Sequence, residues 1–495
     1  MTTVVAPSRR YQMLPALFAL EIIAINLVRI PESMRFDRFA FCDQGANLTL
    51  QYLVANGMRP SLDFGYHYGL LPALFGRVWF AIFAATPWSY QLAMMAADIL
   101  CAWAIAQILY ELRIGAVGLA LTIITLGYAI QASYINLAHA IEAVLILHAL
   151  ANQIRGSRAT ALALCAAAVF AKPSMGYIYG LLLVALLVRD AMRDEAPLRR
   201  IALGLAPAAA VFAGMCALMA YLYSPATLLH TIVPIEGATN YHALNFGLMK
   251  AGKDLWDPHD RPWIFYLIDV SGFWIVSTLF IVGAAAVALS SGPNISSRHK
   301  ETILTCATLH LAFLTLFFGN QWSWIYYPYL LTIGSATAIG VGPAARRIGV
   351  ALCVIALLSW TDRVYWMHRW WQTTAPDAAT AGLWAPADER SEWRQVRALS
   401  HASNTVMLDS MGATELLFSG FENPVSLYLT GGLMQPSDVR RKLDELAGSQ
   451  VAIVPLTIEA CSGVPDAPEF RAALKSFDLA WEGKHFEVYR RRATP

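Results

Sequence analysis

The stretch Phe36–Phe75, FDRFAFCDQGANLTLQYLVANGMRPSLDFGYHYGLLPALF, decides how the rest of the chain is read. It follows a long apolar segment, precedes many more, and gathers Arg35, Asp37, Arg38, Asp43, Arg59, Asp63 and His67 into a chain that otherwise avoids charge. Asp43-Gln-Gly45 opens a helix-like run, Asn56-Gly57 ends it, and Asp63-Phe-Gly-Tyr-His-Tyr-Gly69 leads into another apolar helix. A loop this polar between apolar segments is either a solvated connector or an active site.

The surroundings are those of a membrane protein. Of 495 residues 57% are hydrophobic and 14% charged, and the mean hydropathy is +0.48; a soluble domain carries about 25% charged residues. Repeated apolar segments near 20 residues predict a polytopic α-helical membrane protein. Lys and Arg are scattered at segment ends, which excludes a nucleic-acid-binding surface. The seven cysteines show no C-x-x-C spacing. Cys101, Cys165, Cys216, Cys306 and Cys353 read as small hydrophobes, and a Cys42–Cys461 bridge does not follow from sequence.

Arg9 and Arg10 place the N-terminus in the cytoplasm by the positive-inside rule, ahead of an uncleaved first span. The polar loop, residues 32–88, then lies on the outer side. Charge bookkeeping makes Gly69–Thr86 a helix lying along the outer interface rather than a span. Trp88–Tyr110 crosses inward, Ala116–Ala132 outward, Ser133–His139 forms an outer turn, and Ala140–Ala151 returns. About 30 residues, from Ala159 to Val188, lie between two basic clusters, so two short helices must meet at Ala171-Lys-Pro-Ser-Met-Gly176. Spans at Ile201–Tyr223, Trp263–Leu289, Thr302–Phe318, Tyr329–Val341 and Ile348–Trp360 bring the total to about 11. Residues 1–363 form the membrane domain. Residues 364–495 follow as an extracytoplasmic α/β domain, with Trp366, Trp370 and Trp371 as an interfacial belt and the soluble module proper starting near Ala385. Its strands are Thr405–Leu408, Val451–Val454 and His485–Arg490, and its amphipathic helix is Pro436–Leu446.

Each chemical signal has a bland counterpart. Asp43 and Asp63 suit a general base and its orienting group in transfer to a hydroxyl; Asp43 equally suits an N-cap for Gln44–Ala55. Lys172 suits a phosphate-binding point charge or a snorkelling lysine. Lys250, Lys253 and Arg261 carry the same two readings, with Arg261 the best phosphate fork. Trp322, Trp324, Tyr326 and Tyr327 suit sugar stacking or interfacial anchoring. His139 and Glu142 have metal-ligand spacing without a second pair. Glu21 and Asp98 are the candidate mid-span acids that a transporter or flippase would need, and the sequence lacks the matching repeats expected of one.

The motifs Asp43-Gln-Gly45, Asn56-Gly-Met-Arg-Pro60, Asp63 and Tyr68-Gly-Leu-Leu-Pro72, followed by the short paired helices around Lys172-Pro173, resemble those of the GT-C superfamily of integral-membrane glycosyltransferases. That group includes protein O-mannosyltransferases, bacterial aminoarabinose transferases and the oligosaccharyltransferase catalytic subunit, and the bacterial members that use polyprenyl-phosphate sugars are the most similar. The resemblance implies a catalytic base at Asp43 supported by Asp63. It also implies a polyprenyl-phosphate-linked sugar donor; the residue readings then assign its phosphate to Lys172 and Arg261, and substrate contacts to His67, Tyr68, Trp324 and Tyr327. A lipid, glycan or protein would be the acceptor, at a bacterial inner membrane. Gln44 stands where many members have a second acid, and the second outer loop lacks the paired acids of metal-dependent members. Both departures imply a metal-independent enzyme, and no cofactor is expected.

Overall fold

The computed structural model describes residues 9–41, 43–60, 62–64, 66, 68–132, 136–225, 228, 232, 281–285, 297–316, 327–339, 343–400, 404–408, 413–419, 436–456 and 468–492. Its contacts divide the chain into two units: Met1–Val28 with Met94–Ala217 and Leu255–Trp366, and Arg29–Ala93 with Leu218–Asp254 and Met367–Pro495.

The first unit is helical, because a backbone in lipid must satisfy its own hydrogen bonds. It contains α1 (Arg9–Val28), most of α6 (Pro87–Glu111), α7 (Ala116–Ala132), α8 (Leu137–Arg155), α9 (Arg158–Val169), α10 (Met175–Ala191), most of α11 (Pro197–Leu222), α12 (Ser297–Leu316), α13 (Tyr327–Ile339) and most of α14 (Pro343–Thr373). Among the described residues three helices are long and apolar enough to cross a membrane: α6 with 25 residues, α8 with 19 and α11 with 26. The core joins Phe18 and Ile22 of α1, Ile105 and Leu109 of α6, Leu147 and Leu150 of α8 and Ile333 of α13. Asp98 is not left bare in this apolar setting, since the Tyr329 hydroxyl donates to it at 3.0 Å. Cys101, Cys165 and Cys306 are buried free thiols.

Two expectations about boundaries are corrected. His139 and Glu142 do not lie in and beside an outer turn; α8 begins at Leu137, capped by Asn136, whose side chain accepts from the His139 N–H. The helix α14 also runs unbroken through Trp360 and the tryptophans beyond it to Thr373. By contrast α9 and α10, of 12 and 17 residues, meet where the charge pattern requires.

The second unit begins with α2 (Ile30–Ser33), α3 (Phe36–Phe41), α4 (Asp43–Ala55) and α5 (Leu70–Phe83). At 14 residues α5 is roughly 21 Å long at 1.5 Å per residue. That is short of a hydrocarbon core of about 30 Å. The later part holds a hairpin of β1 (Thr374–Pro376) and β2 (Trp384–Pro386), then α15 (Ala387–Leu399), β3 (Thr405–Met407), α16 (Thr414–Phe418), α17 (Pro436–Gly448), β4 (Val451–Pro455), α18 (Pro468–Leu474), β5 (Phe477–Glu482) and β6 (Phe486–Arg491). Four strands form one sheet in the order β3-β4-β6-β5. Its β3 and β4 are parallel, with Thr405 opposite Val451; the other pairs are antiparallel, with Val451 opposite Arg490 and Phe477 opposite Arg491. Every residue of β4 is buried, as befits an inner strand. Val406, Leu446, Val454 and Phe470 fill one side of this sheet.

The early helices and the late module of this unit are packed together. Trp393 of α15 is fully buried between Phe36, Phe418 and Phe486, at ring separations of 5.1, 6.0 and 5.2 Å. The amide of Ala413 donates to Phe39 O at 2.8 Å, that of Trp384 donates to Met34 O at 2.8 Å, and the Thr414 hydroxyl donates to Ala40 O. Arg35, forked onto Asp37, lies over the Trp370 ring at 3.9 Å. Trp370 therefore has a partner within the unit beyond the expected interfacial role.

Candidate functional site

Asp43 is the first residue of α4 rather than its preceding cap. An acid there is favoured by the positive end of the helix dipole. The following Gly45 is forced by close approach, since a Cβ built on it would overlap Phe39 O and stand 2.7 Å from Ala413 N. The glycine of the Asp43-Gln-Gly45 motif thus lets the start of α4 sit against α3 and the late module. Further along α4, Asn47, Thr49 and Gln51 are each 1% exposed, so polar side chains are buried on both sides of this short helix.

Asp63 closes the turn after α4. Its Oδ2 accepts from Arg59 N at 2.8 Å and Arg59 Nε at 3.1 Å, and its Oδ1 accepts from Arg59 Nη2 at 3.0 Å. These bonds from Arg59 hold the carboxyl below its usual range, so it is ionised at neutral pH. Arg441 of α17 donates to Asp63 O at 3.1 Å, which ties the turn to the late module. The carboxylate proposed to support a base is engaged in building the loop. Phe64, Tyr66 and Tyr68 continue as a buried edge-to-face ladder with 6.1 Å between successive rings, and Tyr66 donates to Gly69 O at 3.1 Å. Tyr68 is committed to that ladder. Just upstream, Glu32 takes Arg38 at 3.3 Å and Arg29 at 3.9 Å, a buried three-charge cluster that the sequence reading did not single out. Its i, i+3 and i, i+6 spacing was the available signal.

In the first unit, Lys172 occupies the elbow between α9 and α10, half-buried, with its Nζ against His139 Nε2 of α8. The elbow is fastened by Glu142, which is fully buried. The Ser174 hydroxyl lies 2.9 and 3.0 Å from its two oxygens, and the amides of Met175 and Gly176 donate to Oε1 at 2.7 and 3.4 Å. Ser174, the N-cap of α10, makes no side-chain bond to its own helix. Glu142 caps that helix from a neighbouring one instead, where a carboxylate meets both unsatisfied amides and the positive helix end. Gly176 completes the joint, because a Cβ there would stand 2.7 Å from Cys165 O and 2.8 Å from Val169 N of α9.

This arrangement revises the reading of His139 and Glu142 as metal ligands. One faces the Lys172 side chain, the other is occupied by three donors, and no group of three His, Cys, Asp or Glu side chains gathers among the described residues. What the elbow offers is a positive charge at a fixed position on a short helical hairpin. Ser174 and Asn136, which the sequence reading passed over, supply part of the fixing. Asn136 before an apolar run is a legible N-cap signal; the tertiary cap by Glu142 has none. His67, Arg261, Trp322, Trp324, Tyr326, Lys250, Lys253, Cys42 and Cys461 lie outside the described residues, and Tyr327 is placed as the first residue of α13.

No family model matches the chain, and no curated protein does. Among solved structures it is similar to ArnT from Cupriavidus metallidurans bound to undecaprenyl phosphate, with a TM-score of 0.43 and 13% identity over 97% of this chain and 99% of that one. The apo state of the same protein gives 0.41 and 14% over 96% and 98%. A likeness this distant assigns no residue a role.

Proposed function

We propose that this chain is a membrane glycosyltransferase of the GT-C type that moves a sugar from a polyprenyl-phosphate donor to an acceptor hydroxyl at the outer membrane face. The observation that carries the reading is the elbow: an ammonium held by a buried carboxylate-capped turn, inside a helical unit, is a prepared counter-charge for a phosphate. The sequence motif around Asp43 supplies the other half of the chemistry. The acceptor oxygen attacks the anomeric carbon, its proton passes to Asp43, and the bond from that carbon to the phosphate oxygen breaks with inversion. The polyprenyl phosphate leaves with the electron pair, and Lys172 and Arg261 offset its charge. This chemistry needs no metal as Lewis acid. Within the same reading, about 11 spans put the N-terminus in the cytoplasm and residues 364–495 in the periplasm of the bacterial inner membrane.

The test is transfer from a synthetic polyprenyl-phosphate sugar by the purified, reconstituted protein. Asp43→Asn is expected to lower kcat by about 100-fold or more, in the range of a lost general base. Lys172→Ala is expected to lower kcat/KM with a weaker response to acceptor pKa. Wild-type rates in Asp43→Asn would remove the catalytic assignment.

A further inference from the structure

The ends of α9 and α10 away from the elbow enclose a cavity of about 620 Å³, where α8 ends and α9, α11 and α12 begin. Its polar wall carries Arg158, Arg200 and Arg298 against Asp190 and Glu301, with Asp194 paired to Arg200 and Arg189 to Asp190 beside it. Arg158 is spent on structure, paired with Asp190 and with Glu301 at 3.4 Å. Arg298, at the rim, has no ion-pair partner among the described residues, and the Arg200 partner, Asp194, is exposed. The first turn of α9, whose N-cap Ser157 makes no side-chain cap bond, adds the positive end of a helix dipole to this polar wall.

The other wall is apolar, formed by Ile154, Leu187 and Leu203. Leu203 is 64% exposed and its neighbour Leu198 81%, on a helix that has no buried residue in its apolar window. For a membrane helix that surface faces acyl chains. A ligand suited to both walls has an anionic phosphate beside an apolar body.

We propose that this cavity holds the headgroup of an anionic phospholipid, with the phosphate against Arg200 and Arg298 and an acyl chain along Leu203. By the charge rule this is the cytoplasmic leaflet, opposite to the side on which Lys172 would act, so the site is separate from the proposed catalytic one. The apolar wall and its open side favour a lipid over free phosphate.

Native mass spectrometry of the full-length protein in mild detergent, titrated with phosphatidylglycerol or phosphatidylcholine, tests the assignment. Phosphatidylglycerol is expected to bind preferentially. Arg200→Ala with Arg298→Ala should weaken it by about fivefold per arginine removed. Leu203→Trp should weaken it without changing charge. Arg346→Ala with Arg347→Ala, an equal charge loss at exposed positions outside the cavity, should leave it unchanged. Equal loss in the two arginine double variants would reduce the effect to diffuse surface charge and overturn the proposal. So would indifference to Leu203→Trp, or displacement of the lipid by millimolar inorganic phosphate.

Discussion

A carboxylate taken out of water must find donors, and Glu142 finds them in one serine hydroxyl and two amides of another helix. Removing it strands all three, and each buried unsatisfied group costs about 1–3 kcal/mol. Glu142→Leu is therefore expected to lower stability by ~3 kcal/mol or more, and Ser174→Ala, which strands none of the amides, by about 1 kcal/mol. Thermal unfolding of the detergent-solubilised protein distinguishes them; equal costs would mean that the amides do not depend on Glu142. Glu389 is the opposite case, a carboxyl short of donors. Burial first, then the nearby Asp37 and Asp388, against Arg35 and Lys484, push its pKa up to about 8 from 4.5, with His485 at 3.8 Å. Between those two values the folded state holds a proton that the unfolded state has released. Stability should therefore fall as pH rises from about 4.5 to about 8 and level off above. Glu389→Gln should flatten that slope and melt higher than wild type at pH 8, by an amount on the order of 2 kcal/mol. The competing titration of His485 works in the same module and also faces Glu392, so the slope is read as the difference between the two proteins.

At the scale of elements, the elbow is where sequence reasoning reached furthest. Two basic clusters about 30 residues apart with Lys-Pro between them leave too little chain for two full spans, and α9 and α10 end and begin at the expected place. Helix α8 starts at Leu137, three residues before the Ala140 that the sequence suggests, because Asn136 caps it ahead of the polar stretch containing His139. How tightly α9 and α10 meet was not legible at all, since nothing marks one glycine over another in sequence. In the structure Gly176 is pressed against backbone atoms of α9, whereas a Cβ on Gly180, one turn on, would meet only the Cβ of Cys165 at 3.7 Å. Gly176→Ala should thus cost about 1–3 kcal/mol through forced separation of the helices. Gly180→Ala should be neutral or stabilising by up to ~1 kcal/mol, from helix propensity. The melt separates the two: equal losses in Gly176→Ala and Gly180→Ala would mean that the close approach at Gly176 is not what holds the helices together.

At the scale of the whole chain, what escaped the sequence was long-range packing. Strands β3, β4 and β6 and helix α17 were readable from local alternation and periodicity. Local pattern carries no record of partners such as Arg441 and Asp63, 378 positions apart, or Thr414 and Ala40, 374 apart. Those contacts make the segment that contains Asp43 part of the same unit as the C-terminal sheet, so the sheet supports the candidate catalytic loop as well as itself. Trp393 tests this coupling because it touches Phe36 on one side and Phe418 and Phe486 on the other. Trp393→Ala empties a fully buried position and should cost about 3–5 kcal/mol. If the unit is cooperative, hydrogen exchange should accelerate together in residues 36–41 and 486–491, and the loop of Asp43 should loosen with the sheet. Faster exchange confined to residues 486–491 would show that α3 and α4 hold their place without the module.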